Sequence, residues 1–276
     1  MKRILIISLV AVFLLPSPSL FAKKQKKEDQ PKPQIESQWN GKKIVFLGDS
    51  ITDARHIGCE KNYWGFLVDI LGITHSVYGI SGHQMSHIPG QIDKMVANDG
   101  ENFDAIMIFC GTNDYNASVP MGEWYAEKYD TTTVDGPTTV LRKKRDKIMD
   151  INTFKGRINI TMDILKTKFP SEQIILLTPI HRGYAYFGKN NIQPAEDYAN
   201  AVGLYIHDYV AAIQEAANIW AVPVIDLNSI CGLYPANPSY SIFFANKNTD
   251  MLHPNTAGQK RMAEAIAYQL LGYPCF

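Results

Sequence analysis

The 276-residue sequence is short of cysteine, of any charge excess and of long apolar runs. Each shortage excludes something. The four cysteines, Cys59, Cys110, Cys231 and Cys275, match no CxxC metal spacing. Of the seven histidines, only His83 and His87 stand at HxxxH spacing, and no further ligand motif accompanies them, so no metal is called for. Nothing in the sequence calls for another cofactor. Acidic and basic side chains balance at 27 each. Nucleic acid as the main partner would favour a basic stripe, so that class is set aside. Beyond the N-terminus no long apolar run appears, so no stable membrane insertion is expected of the mature chain.

The N-terminus reads as an export signal. Lys2 and Arg3 form a positive start, Ile4 to Leu15 an apolar stretch short for a membrane span, and Pro16 to Ala22 a turn-rich end. Residues 1–22 are therefore expected to be a signal peptide cut after Ala22, which places the protein in the periplasm or outside the cell. Pro16 and Pro18 disfavour an uncleaved anchor helix, and no Cys sits at the cleavage point for lipid attachment. Residues 23–38, with Lys, Gln and Pro interleaved, read as a flexible tether, and residues 39–276 as one domain. Cys110 ends an apolar run and reads as a small buried hydrophobe. Two of the other cysteines can pair in an exported protein, and the sequence does not choose which.

Five apolar, β-branched runs alternate with helical patterns. Lys43 to Leu47, Thr74 to Tyr78, Asp104 to Cys110, Gln173 to Leu177 and Val222 to Ile225 read as strands. Tyr63 to Leu71 (with Gly72 as C-cap), Ile88 to Val96 and Thr153 to Phe169 read as helices. A further helix is expected to open at Pro194, with Tyr198, Val202, Tyr205, Tyr209 and Ile213 on one face, and a last one to run from His253 to Leu271. This order predicts an α/β fold with a parallel sheet covered on both faces. Tyr115 to Asp150 and Leu227 to Thr249 read as long irregular stretches, with a lid or substrate wall weighed against plain surface elaboration.

In an open α/β sheet, ligands bind beyond the carboxyl ends of the strands. There the sequence places Gly48-Asp49-Ser50-Ile51-Thr52, Gly79-Ile80-Ser81-Gly82, Gly111-Thr112-Asn113-Asp114 and, later, Asp250-Met251-Leu252-His253-Pro254. Together they supply a hydroxyl, an imidazole, a carboxylate and neutral donors, the inventory for acyl transfer. Ser50 is the candidate nucleophile and His253 its base. Asp250, three residues earlier and close to one helical turn away, is the candidate to orient that base. The backbone N–H groups of Ser50 and Gly82 and the amide of Asn113 are candidate oxyanion donors. Each motif alone has a plainer reading: a helix N-cap at Ser50, an Asn/Asp turn at Asn113, and an N-cap followed by a surface imidazole at Asp250 and His253.

Taken together and in this order, the segments resemble the SGNH (GDSL-type) hydrolases. GDSIT resembles the first family block, Ile80-Ser81-Gly82 the second, Gly111-Thr112-Asn113-Asp114 the third and Asp250-Met251-Leu252-His253-Pro254 the fifth. Tyr78 and Gly79 depart from the pattern, since many relatives carry an Asn before that Gly. The resemblance implies a flavodoxin-like three-layer α/β/α sandwich with a five-stranded parallel sheet. It also implies ester hydrolysis through an acyl-enzyme, without metal or cofactor.

The expected partner is a small-molecule or glycan ester. Aromatic residues in the long loops (Trp124, Tyr125, Tyr129, Tyr184, Tyr186, Tyr234, Tyr240, Phe243 and Phe244) suit either sugar stacking or loop packing. Export tilts the reading towards short acyl (acetyl) esters on carbohydrate. The alternatives are a lipase or lysophospholipase-type acylhydrolase, and a catalytically silent glycan-binding module on the same fold. His56, His83 and His87 are candidates to line the cleft mouth, with structural or surface roles the plainer reading for each.

Overall fold

Five strands pair side by side, all parallel, in a computed structural model of the protein, which describes residues 36–275. The chain runs through β1 (Lys43–Gly48), α1 (Tyr63–Leu71), β2 (Thr74–Val77), α2 (Ile88–Asp99), β3 (Ala105–Phe109) and the short α3 (Thr112–Asn116). A hairpin of β4 (Tyr125–Thr133) and β5 (Thr139–Lys147) follows, then α4 (Phe154–Lys168) and β6 (Gln173–Leu177). The short strands β7 (Ala185–Tyr186) and β8 (Ile192–Gln193) lead to α5 (Ile206–Trp220) and β9 (Val224–Ile225). The chain closes with α6 (Leu227–Ile230), β10 (Phe244–Asn246), β11 (Asp250–Pro254) and α7 (Thr256–Leu270). The signal-peptide expectation for 1–22 and most of the 23–38 tether lie outside the described residues. At its end, Gln38 and the fully buried Trp39 hydrogen-bond to the carbonyl of Leu270.

The main sheet has the order β2-β1-β3-β6-β9. Successive residues of a strand point to opposite faces, and here both faces are covered. Val45, Leu47, Ile106, Ile108, Ile174 and Leu176 pack against α2, α4 and α5. Ile44, Phe46, Met107, Phe109, Ile175 and Leu177 pack against α1 and α7. This is the expected three-layer α/β/α sandwich, and the need to bury both faces explains why its strands read as unbroken apolar runs. A second, smaller sheet, β10-β11-β7-β8, was not expected from the sequence. No helix among the described residues is long and apolar enough to cross a membrane. All four cysteines are free thiols, and Cys110 is buried as expected.

Several expectations need correction. The helix expected from Pro194 begins at Ile206. Before it, the Asn200 side chain accepts from the backbone N–H groups of Val202 and Leu204, and Gly203 sits at φ 79°. That turn competes with helix formation. Asp208 then caps the true start by accepting from the Tyr205 N–H. Tyr198, Val202 and Tyr205 are consequently exposed, whereas Tyr209 and Ile213 are buried. The last helix starts at Thr256, capped by Asn255, which accepts from the N–H groups of Ala257 and Gly258. His253 thus lies on a strand. The stretch 115–150 is no irregular loop: it holds the end of α3 and the β4–β5 hairpin, paired from Tyr125↔Lys147 to Thr133↔Thr139. The stretch 227–249 holds α6, β10 and a 3-10 turn over Pro238–Phe243.

A buried amide helps root the hairpin on the α4–α5 face, beside the Trp124 indole donating to Glu215 and Lys147 standing over Trp220. Asn159 donates to the carbonyls of Trp124 and Ile148 at 3.0 Å each and accepts from the Trp220 indole at 3.1 Å. A two-stranded hairpin is marginal on its own, so this anchor is expected to matter. Asn159→Ala strands these groups at about 1–3 kcal/mol per buried orphan. Urea unfolding of that variant is expected to show a loss on the order of 3 kcal/mol. A loss under about 0.5 kcal/mol, the scale of a neutral surface change, would show that the amide anchors nothing.

Candidate active site

The carboxyl ends of β1 and β3 meet so closely that only glycine fits at the end of β1. A Cβ on Gly48 would lie 2.3 Å from the Phe109 carbonyl oxygen. The chain then turns tightly around Asp49, which accepts from the N–H of Ile51 through its side chain and from those of Thr52 and Asp53 through its carbonyl. This turn carries Ser50, only 4% exposed, onto the rim. Gln91 of α2 grips the same place from below. It accepts from the Gly48 N–H at 2.9 Å, donates to the Gly48 carbonyl at 2.8 Å and contacts His83 Nδ1 at 3.0 Å.

The strand β11 supplies the imidazole. His253 Nε2 lies 2.8 Å from Ser50 Oγ, and His253 Nδ1 lies 2.9 Å from one Asp250 oxygen and 3.1 Å from the other. Asp250 also accepts from the backbone N–H groups of Leu252 and His253 at 3.2 and 3.0 Å. One carboxylate therefore fixes both the ring and the bend of backbone that presents it. With Asp250 on Nδ1, that nitrogen is assigned the proton, and Nε2 is left to accept from the Ser50 hydroxyl. Asp250 and His253 meet across a bent strand rather than along a helical turn, the geometry expected from their spacing. His253 is 5% exposed, not the surface imidazole of the plainer reading. The Phe187 ring stands 5.3 Å from it and is 41% exposed, so it forms part of the mouth.

Gly82 sits at φ 82° in a segment held from both sides. Asp53 accepts from the Ser81 N–H at 2.8 Å, and the Asn113 amide donates to the His83 carbonyl at 3.0 Å. A Cβ on Gly82 would meet nothing within 4 Å, so the space above it is open. Among the described residues, neither the Ser50 nor the Gly82 N–H donates a hydrogen bond. Ser50, Gly82 and Asn113 thus stand on one rim with donors to spare. His83 and His87 stack at 4.5 Å, and His56 Nδ1 is 2.6 Å from the Asn62 side-chain oxygen. No three metal-ligating side chains converge among the described residues.

Buried ionisable groups brace this rim. Arg182, 1% exposed, donates to the Thr112 carbonyl and hydroxyl and to Gln193, and burial lowers its pKa to about 10. Asp114 accepts from the Met85 N–H at 2.9 Å and from Arg157 at 2.8 Å. Burial still pushes its pKa up. Asp49 is fully buried, and one of its oxygens has no partner. Burial pushes its pKa up to about 7. Gln91, Asp53 and Phe187 carry no motif signal in the sequence. For Gln91 a faint one existed, a polar residue sharing the buried stripe of Ile88, Ile92 and Met95. The two long stretches differ in their relation to the site. The hairpin roots near Asn159 and Trp220, whereas residues of 227–249 wall a cavity of about 970 Å³ that also touches Met251 of β11.

Residues 46–261 match the family described as GDSL-like Lipase/Acylhydrolase. No match is found among curated proteins. Solved structures are similar over most of the chain. A protein from Lactobacillus plantarum is 25% identical, with 85% of this chain and 99% of that one covered at a TM-score of 0.66. A possible lipase from Chitinophaga pinensis is 21% identical, covering 84% and 99% at a TM-score of 0.62. An acetyl xylan esterase from Geobacillus stearothermophilus is 19% identical, covering 84% and 95% at a TM-score of 0.51.

Asp49 makes a pH prediction. Its pKa rises from 3.8 to about 7 on folding, so below about pH 4 it is neutral in both states and costs nothing. Between those values the unfolded chain releases the proton and the folded chain keeps it, so stability falls as pH rises through about 7. The fall assigned to this residue is on the order of 4 kcal/mol. Asp49→Asn cannot titrate, and its unfolding free energy is expected to lose that slope relative to the unaltered protein. Parallel pH curves for the two proteins would contradict the assignment.

Proposed function

The chain belongs to the GDSL-like lipase/acylhydrolase family and is a carboxylic ester hydrolase, and from that premise we propose an exported serine esterase that removes short acyl groups, acetyl above all, from carbohydrate. The observation that carries the mechanism is the 2.8 Å contact between His253 Nε2 and Ser50 Oγ. In this reading Ser50 Oγ attacks the ester carbonyl carbon while its proton passes to His253 Nε2. Asp250 holds the ring and offsets the charge it gains. The N–H groups of Ser50 and Gly82 and the Asn113 amide receive the oxyanion. As the carbon–oxygen bond to the alcohol breaks, His253 returns the proton to the leaving alkoxide. Water, deprotonated by the same imidazole, then attacks the acyl-enzyme; the acid is released and Ser50 is restored.

Two observations support the carbohydrate side of this reading. Tyr184, Tyr186, Phe187, Tyr205 and Tyr234 are all at least 40% exposed, and they lie in segments that flank the triad strand or wall the cavity beside it. Exposed rings of this kind stack on the apolar faces of sugars. An acetyl xylan esterase is among the proteins sharing the fold, so the architecture hosts that chemistry elsewhere. The positive start, apolar stretch and Ala22 end of the N-terminus support export.

Hydrolysis of acetylated sugars against acyl esters of graded chain length tests the substrate class. Highest kcat/KM on acetylated sugars is expected; activity that rises with chain length would replace this reading with a lipase. Within the mechanism, Ser50→Ala is expected to lower kcat on p-nitrophenyl acetate by about 10⁴-fold or more. Asn113→Ala is expected to lower it by about 10²- to 10³-fold, the usual effect of one lost oxyanion donor. Unchanged turnover in either variant would remove that residue from its role.

A further inference from the structure

The cavity of about 970 Å³ beside the triad strand is lined by none of Ser50, Gly82, Asn113 or His253. Its walls come from the segment after β6, the approach to α5 and the stretch before β11. Met251, which lines it, follows Asp250 directly, so cavity and triad share one strand. We infer that this cavity binds a pyranose ring of a neutral glycan, which makes it a sugar subsite next to the catalytic rim. The inference deepens the carbohydrate-esterase reading and rests on it for the identity of the ligand.

The argument starts from how the walls are fixed. Glu196 accepts from the Arg182 N–H with one oxygen, at 2.9 Å, and faces His181 Nδ1 with the other, at 2.7 Å. His181 so held stands nearly perpendicular to the Tyr234 ring, with centroids 5.4 Å apart. Tyr240 meets Tyr234 at 90° from another side, at 6.4 Å. The Tyr234 ring is therefore fixed in orientation, yet it remains 49% exposed. Tyr184 and Tyr205, at 42% and 46%, add two more exposed rings to the same cavity. A ring held in place before binding loses little entropy when a ligand stacks on it.

The polar groups point to a hydroxyl-rich, uncharged ligand. Asp197, Asn248 and His207 line the cavity alongside those rings and can accept from or donate to hydroxyls. Among the lining residues, Glu196 and Asp197 are matched in number by Arg182 and Lys247, so the lining carries no excess formal charge to select an anion or a cation. An acyl chain lodged there would strip water from these polar groups without replacing their hydrogen bonds, which is unfavourable. Apolar faces for the ring carbons and polar groups for the hydroxyls suit a sugar better than either extreme.

The test uses the full chain carrying Ser50→Ala, titrated by calorimetry with xylohexaose, cellohexaose and chitohexaose. Saturable binding of at least one is expected. Tyr234→Ala and Tyr205→Ala, each added to that background and checked for folding by circular dichroism, are each expected to weaken it about tenfold or more, the loss of roughly one stacked ring. No binding of any of the three, or binding untouched in both folded tyrosine variants, would overturn the inference. Because hydrolysis plays no part in the measurement, binding without esterase activity in the unaltered protein would sink the catalytic proposal alone. Activity on acetylated sugars without binding would sink this subsite alone.

Discussion

One contact between residues 203 positions apart, the imidazole of His253 against the hydroxyl of Ser50, sets what the rest of the molecule has to hold still. A serine hydroxyl is a poor nucleophile until a base stands within hydrogen-bond reach, so a displacement of an ångström at either end is costly. The fold meets this demand with rigid parts on both sides. Ser50 leaves a strand whose end is locked by a glycine with no room for a side chain and by two hydrogen bonds with Gln91, one accepted and one donated by its amide. His253 sits on a bent strand whose curvature and ring orientation are both fixed by Asp250. Nearly complete burial of the pair keeps water from competing for the contact.

Around this contact, the polar groups under the rim are disposed so that the backbone ends cannot drift. Asp53 ties the Gly82 segment to the nucleophile turn, Asn113 ties it to β3, and Arg182 ties the Asn113 turn to the segment after β6. Such links are expensive when half satisfied, and Asp49 shows the expense directly. Its carboxyl is fully buried with one oxygen unpartnered, and burial above all, with the nearby charge of Asp114, favours its neutral form. A residue that weakens the folded state while organising the turn that presents Ser50 is consistent with stability being spent at a functional site.

Much of this was legible in the sequence, for identifiable reasons. The central strands announce themselves because both faces of the sheet are buried, which leaves Ile106 to Phe109 and Ile174 to Leu177 without a polar break. Ser50, Gly82, Asn113, Asp250 and His253 stand where strand ends predicted polar residues would gather. Less was legible where conformation depends on local competition. Tyr198, Val202 and Tyr205 share a helical spacing with Tyr209 and Ile213, but the side chain of Asn200 folds that stretch into a turn. The β4–β5 hairpin is wet on both faces, so Tyr129 and Leu141 alternate with charges without producing a period that marks a buried side. Asp250 and His253 have a spacing that serves a helix or a bent strand equally, and only the course of the chain decides. The buried stripe of its helix marks Gln91 only faintly, and what it grips, like what Phe187 faces, lies distant in sequence.

The central claim is that the hydroxyl of Ser50 is activated as a nucleophile by His253, and covalent trapping tests it most directly. The protein is treated with a fluorophosphonate probe, digested, and the modified residue located by mass spectrometry, with a His253→Ala variant in parallel. The account predicts a single phosphonylated site at Ser50 in the unaltered protein and its loss in the variant. An unmodified Ser50, or equal labelling with and without His253, would contradict it.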